Sequence, residues 1–103
     1  MEFILIHKPR GIIPPDVLTD QMEQVKKLLA KPDEFVPGGK LVASYAVRGK
    51  MLVICIWDAP SIEAVCPMAE QMDLGGWDTD IMPLEKMSVH LEKLSKAMES
   101  MKR

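Results

Sequence analysis

Aromatic residues make up 5% of this chain, there are two cysteines and two histidines, and neither sign of charge dominates. Each shortage removes a class of function. His7 and His90 lie far apart with no His-x-His or Glu-x-x-His pattern, so no metal site is expected. Cys55 and Cys66 fit neither a zinc nor a thioredoxin spacing and read as reduced thiols. A net charge of −2 offers a polyanion no strong electrostatic attraction, so nucleic acid is not an expected partner. The first apolar run, Phe3 to Ile6, is short and has no basic segment before it. That pattern predicts no signal peptide and no membrane span, hence a cytoplasmic protein.

The 103 residues suit one domain, residues 1–103, and 48% of them are hydrophobic. Nine methionines are many for this length, and methionine suits irregular cores and adaptable apolar surfaces. A domain this small gains from pairing, because it buries a smaller share of its surface than a larger one.

Glu2 to His7 reads as a strand. Pro9, Gly11, Pro14 and Pro15 predict a loop, after which Asp16 is placed to cap a helix with Leu18, Met22, Val25 and Leu29 on one face. Lys40 to Val47 and Met51 to Trp57 predict a hairpin around Arg48-Gly49-Lys50. Ser61 is placed to cap a second helix, which Pro67 should kink or shorten. Trp77 to Pro83 is a fourth strand, and Ser88 should open a last helix striped by Leu91, Leu94, Met98 and Met101.

The order β-α-β-β-α-β-α predicts an α+β, ferredoxin-like fold: a four-stranded antiparallel sheet with two helices on one face and an extra C-terminal helix. The third strand is apolar in both registers, with Leu52, Ile54 and Ile56 on one side and Met51, Val53, Cys55 and Trp57 on the other. A sheet with one wet face would alternate, so the second face calls for a partner, most simply another copy of the chain.

The stretch from Gly49 to Ala64, with its Trp57-Asp58-Ala59-Pro60-Ser61-Ile62-Glu63-Ala64 close, resembles the muconolactone-isomerase-like group of the dimeric α/β-barrel superfamily. Ile13-Pro14-Pro15-Asp16 resembles that group's entry to the first helix, and Asp80 to Leu84 its fourth strand. Beyond Glu70, Met72 to Trp77 lacks the proline-rich stretch of the isomerases. The resemblance implies a homodimer whose sheets face each other around a barrel, higher assembly being open, with a small-molecule pocket between sheet and helices. Members of the superfamily isomerise lactones, cyclise polyketides, act as cofactor-free monooxygenases, or have no known activity.

Among the residues, His7 is the candidate general base, since its ordinary pKa lies near neutrality; otherwise it is a solvated strand end. Asp78 and Asp80 point the same way from the fourth strand, either as a proton-moving carboxylate pair or as its wet face. Tyr45 is placed to orient a carbonyl, and Arg48 to grip a carboxylate unless it is an ordinary turn charge. Trp57 and Trp77 are candidates to wall an apolar pocket. Arg48-Gly49 begins like the RNA-recognition signature, but Lys50, Leu52 and Cys55 stand where stacking rings are needed. The expected function is cofactor-free proton transfer, isomerisation or cyclisation, on a small apolar carbonyl or lactone compound. A cofactor-free monooxygenase and a non-catalytic binding or assembly module are the alternatives.

Overall fold

The computed structural model describes residues 1–102. Its elements are β1 (Glu2–Pro9), α1 (Pro15–Ala30), a 3-10 turn (Pro32–Glu34), β2 (Lys40–Ala46), β3 (Val53–Asp58), α2 (Ile62–Leu74), β4 (Trp77–Leu84) and α3 (Met87–Met101). One antiparallel sheet has the order β2-β3-β1-β4. No helix is long and apolar enough to cross a membrane among the described residues.

The side chains of β1 alternate, with Phe3, Leu5 and His7 buried and the residues between them half-buried. Cross-strand register carries this alternation across the sheet: Phe3 pairs with Trp57, Leu5 with Cys55 and Ile81, and His7 with Val53 and Thr79. Period two then puts all of these on one face. That face packs into the core with Val36 and with Val65 and Met68 of α2, and Leu28 of α1 leans on its edge. The opposite face carries Ile4, Ile6, Ile54 and Ile56 at its centre, with Asp80 beside Ile6 and Tyr45 beside Ile54. Nothing in the chain covers it as the core covers the first face; all four isoleucines are half-exposed.

Several local expectations are corrected. α1 starts two residues earlier, with Pro15 in its first turn and Pro14 at the cap, so Asp16 lies inside the helix. Proline suits that position, because the amide it lacks would have no helical partner there. Ser61 does take the cap of α2, but its hydroxyl makes no cap hydrogen bond. Ser88 lies inside α3, which Lys86 precedes. Pro67 sits within α2 without shortening it, and the helix runs 13 residues. Both Pro67 and Glu63, whose carbonyl loses its bond, are exposed, so water can serve that carbonyl. β1 continues past His7 to Pro9, which pairs with Trp77.

The helix face of α1 is also rotated from the expected stripe. Leu18, Gln21 and Leu28 are its half-buried positions, while Met22, Val25 and Leu29 stay exposed. Gln21 turns the helix that way: its amide nitrogen donates to the Gly75 carbonyl at 2.8 Å and its oxygen accepts the Trp77 indole N–H at 2.9 Å.

Gly39 lies between the 3-10 turn and β2, where the chain closes on the core. A Cβ there would lie 2.5 Å from Val36 Cγ1 and 2.9 Å from the Val36 carbonyl oxygen. Val36 is fully buried and the carbonyl belongs to the backbone, so neither gives way easily. Gly39→Ala should cost about 1–3 kcal/mol of stability, read from the urea midpoint.

Candidate functional site

β4 is an edge strand, so its flank collects side chains from both faces of the sheet. Between it and α2 runs a shallow groove of about 530 Å³, lined by Cys66, Ala69, Glu70, Asp78, Thr79 and Asp80 among others. Asp78 and Asp80 thus share one groove. They differ in freedom. Arg10 Nη1 donates to Asp78 at 2.8 Å and to Asp73 at 2.6 Å, while its Nη2 donates to the Asp73 carbonyl oxygen at 2.6 Å. Asp78 is therefore held in a clamp between the end of β1 and the α2–β4 turn. Asp80 has no such tether among the described residues.

His7 is 3% exposed and stands on the helix-covered face. Its strand neighbour Thr79 reaches it: Nδ1 and Oγ1 lie 2.8 Å apart in a hydrogen bond whose donor is set by the ring's tautomer. Burial lowers the His7 pKa from 6.5 to about 4, so the ring is neutral at pH 7. A base this weak is poorly matched to abstracting protons at neutral pH, and register puts the two aspartates on the opposite face. The structure therefore does not join His7 and the carboxylates into one acid–base pair. It joins them indirectly, through Thr79, which touches His7 and also lines the groove.

The remaining candidates lie elsewhere. Tyr45 is on β2, at the far edge of the sheet from β4, and is 61% exposed on the open face. Arg48 is exposed in the β2–β3 turn. Trp57 is fully buried in the core, and its indole nitrogen has no hydrogen-bond partner. Trp77 is buried at the start of β4 with its indole N–H turned to Gln21 rather than into a pocket. Cys55 is buried next to Ser44, and burial pushes its thiol up, against reactivity. No group of three His, Cys, Asp or Glu side chains is placed to hold a metal ion among the described residues.

Thr79, Arg10 and Gln21 were not legible as site residues. Thr79 and Arg10 matter only through register and loop contacts, and Gln21 only through the turn that α1 meets. Thr79→Val keeps the shape of the side chain but strands a ring nitrogen of buried His7. It should cost about 1–3 kcal/mol, measured by thermal or urea unfolding at pH 7.

No family model matches the chain, and no curated protein does. Seven chains among solved structures match. SCO4226 from Streptomyces coelicolor A3(2) is 21% identical with a TM-score of 0.48, over 82% of this chain and 99% of that one. Protein Atu4242 from Agrobacterium tumefaciens is 12% identical with a TM-score of 0.47, over 84% of this chain and 96% of that one. Both are chains of similar length to this one.

Proposed function

We propose that the chain is a homodimeric small-molecule enzyme of the dimeric α/β-barrel type, ferredoxin-like in each subunit, that moves protons on a small apolar carbonyl or lactone compound without a cofactor. The observation that carries this reading is the α2–β4 groove, lined by both the untethered Asp80 and by Thr79, whose hydroxyl is hydrogen-bonded to a buried, neutral His7.

The chemistry follows from the groups. When Nδ1 of His7 carries the ring proton, it donates to Thr79 Oγ1, and the threonine O–H is free to point into the groove. That hydroxyl donates to the carbonyl oxygen of a bound substrate and stabilises the enolate that forms. Asp80 takes the proton from the carbon next to the carbonyl and returns it to a different carbon of the conjugated system. One C–H bond breaks and another forms, and no electrons leave the substrate. His7 is a positioning residue in this scheme. The homodimer forms through the open sheet faces, whose isoleucines then leave water.

The test is solvent exchange. Unsaturated γ-lactones incubated with the protein in D2O under argon should take up deuterium next to the carbonyl, read by NMR. Asp80→Asn should slow this at least about a hundredfold. Exchange by the native protein no faster than buffer would leave the binding or assembly reading, and turnover that requires oxygen would favour the monooxygenase.

A further inference from the structure

α3 is a helix without a home in its own chain. It buries none of its 15 residues. Its apolar stripe, Leu91, Leu94, Met98 and Met101, is 53, 48, 52 and 83% exposed. An isolated helix of this length is marginal in water, so it needs a surface to pack on. Its direction is nonetheless held. Glu85, in the two-residue link from β4, pairs with Lys93 and lies 3.6 Å from His90 Nδ1, tying the link to the first turns of the helix. The helix leaves the sheet as an arm, and the molecule is 62 Å long with a radius of gyration of 16.9 Å. A compact chain of this length has a radius of about 13 Å.

A second apolar stripe is also bare: Met22, Val25 and Leu29 on the outer side of α1 are 55, 48 and 54% exposed. The two stripes have matching helical spacing, and within one chain they do not meet. We infer that in the homodimer α3 of each copy crosses to pack along α1 of the other.

Two observations select a second copy as the occupant. The chain exposes 7,699 Å², where a compact monomer of 11.6 kDa exposes about 5,800 Å². The excess of about 1,900 Å² is more than twice the roughly 800 Å² each partner contributes to a stable complex. Each copy also offers one arm and one receiving helix, so reciprocal exchange covers both stripes and closes on a two-fold axis. A foreign partner would cover one stripe and leave the other wet.

The inference rests on the homodimer reading, and cross-linking separates the two. In a Cys66→Ser background, one copy carries Met22→Cys and a differently tagged copy carries Leu94→Cys. The two are coexpressed and treated with a short bis-maleimide, whose reach suits helices packed about 8–10 Å apart. The expected product joins the two tags, and either variant alone gives no linked pair. Leu94→Glu should also raise the dimer dissociation constant about ten- to a hundredfold. Linkage only within a chain carrying both cysteines would overturn the exchange, as would linkage only between two Leu94→Cys copies. A dimer by mass with no α1–α3 product overturns the exchange and leaves the sheet-to-sheet dimer standing. A native monomer at micromolar concentration overturns both.

Discussion

Replacing Ile54 with aspartate should leave a folded chain that sediments as a single 11.6 kDa particle, where the proposed native homodimer should sediment at twice that mass. Ile54 sits at the middle of the open face, between Ile6 on β1 and Tyr45 on β2. It is only half-buried in one chain, so an aspartate there keeps much of its hydration and costs about 1 kcal/mol of strand preference. In a face-to-face dimer the same carboxylate loses its water twice over, once per subunit. An unpaired buried charge costs several kcal/mol, and each 1.4 kcal/mol is tenfold in affinity. The dissociation constant should therefore rise by about a hundredfold or more. Ile54→Val, which keeps the surface apolar, should leave the dimer intact. Sedimentation at micromolar protein, with circular dichroism to confirm the fold, decides the matter. A native-sized dimer of the aspartate variant would remove the open face from the interface.

The sheet and the helices were legible because their signals are local. Glu2 to His7, the run ending at Trp57 and the run from Trp77 are β-branched or aromatic over a strand's length, and Arg48-Gly49-Lys50 marks the turn between two of them. Their ends were less legible. β1 runs on to Pro9 because β4 offers a partner there, and the Arg10 amide still donates to the Gly76 carbonyl at 2.9 Å, contacts made across 66 residues of chain. Helical periodicity found the stripes on α1 and α3 but not their use. Both are apolar at the right spacing, yet α1 half-buries only a rotated edge and α3 buries none of its residues.

The candidate site shows the same division. Period two alone puts Asp78 and Asp80 on one side, and the register of β4 against β1 places them so. His7 was grouped with them on chemistry, but only the pairing of His7 with Thr79 reveals that it faces the other way. Composition also makes Trp57 and Trp77 look like pocket walls, whereas scarce large rings in a small domain are drawn into its core. Arg10 lies in a proline- and glycine-rich segment with no pattern of its own, and its clamp on Asp73 and Asp78 exists only once the α2–β4 turn is folded beside it.

Acidification should expose His7 through the stability of the fold before any substrate is known. In the folded chain burial lowers its pKa to about 4, and in the unfolded chain it returns to 6.5. Between those values the unfolded state binds the extra proton, so stability rises with pH through this window and falls as the solution is made acid. The contribution is fully present above pH 6.5 and is lost by about pH 4, a total of about 3 kcal/mol. The groups beside the ring do not oppose this: Thr79 and Val53 are neutral, and Lys8, Asp78 and Asp80 project from the other face. Ordinary carboxylates titrate near the bottom of the window and His90 is common to both proteins, so the difference in slope between the native protein and His7→Gln from pH 6.5 to 5 belongs to His7. Urea unfolding at half-unit steps should show stability falling by up to about 1.4 kcal/mol per pH unit there. His7→Gln keeps a polar side chain beside Thr79 but removes the titration, and its stability should be level over the same steps, whatever its absolute value. An equal slope in both proteins would mean that the imidazole is hydrated in the native state, and that the neutral support assigned to the Thr79 hydroxyl does not exist.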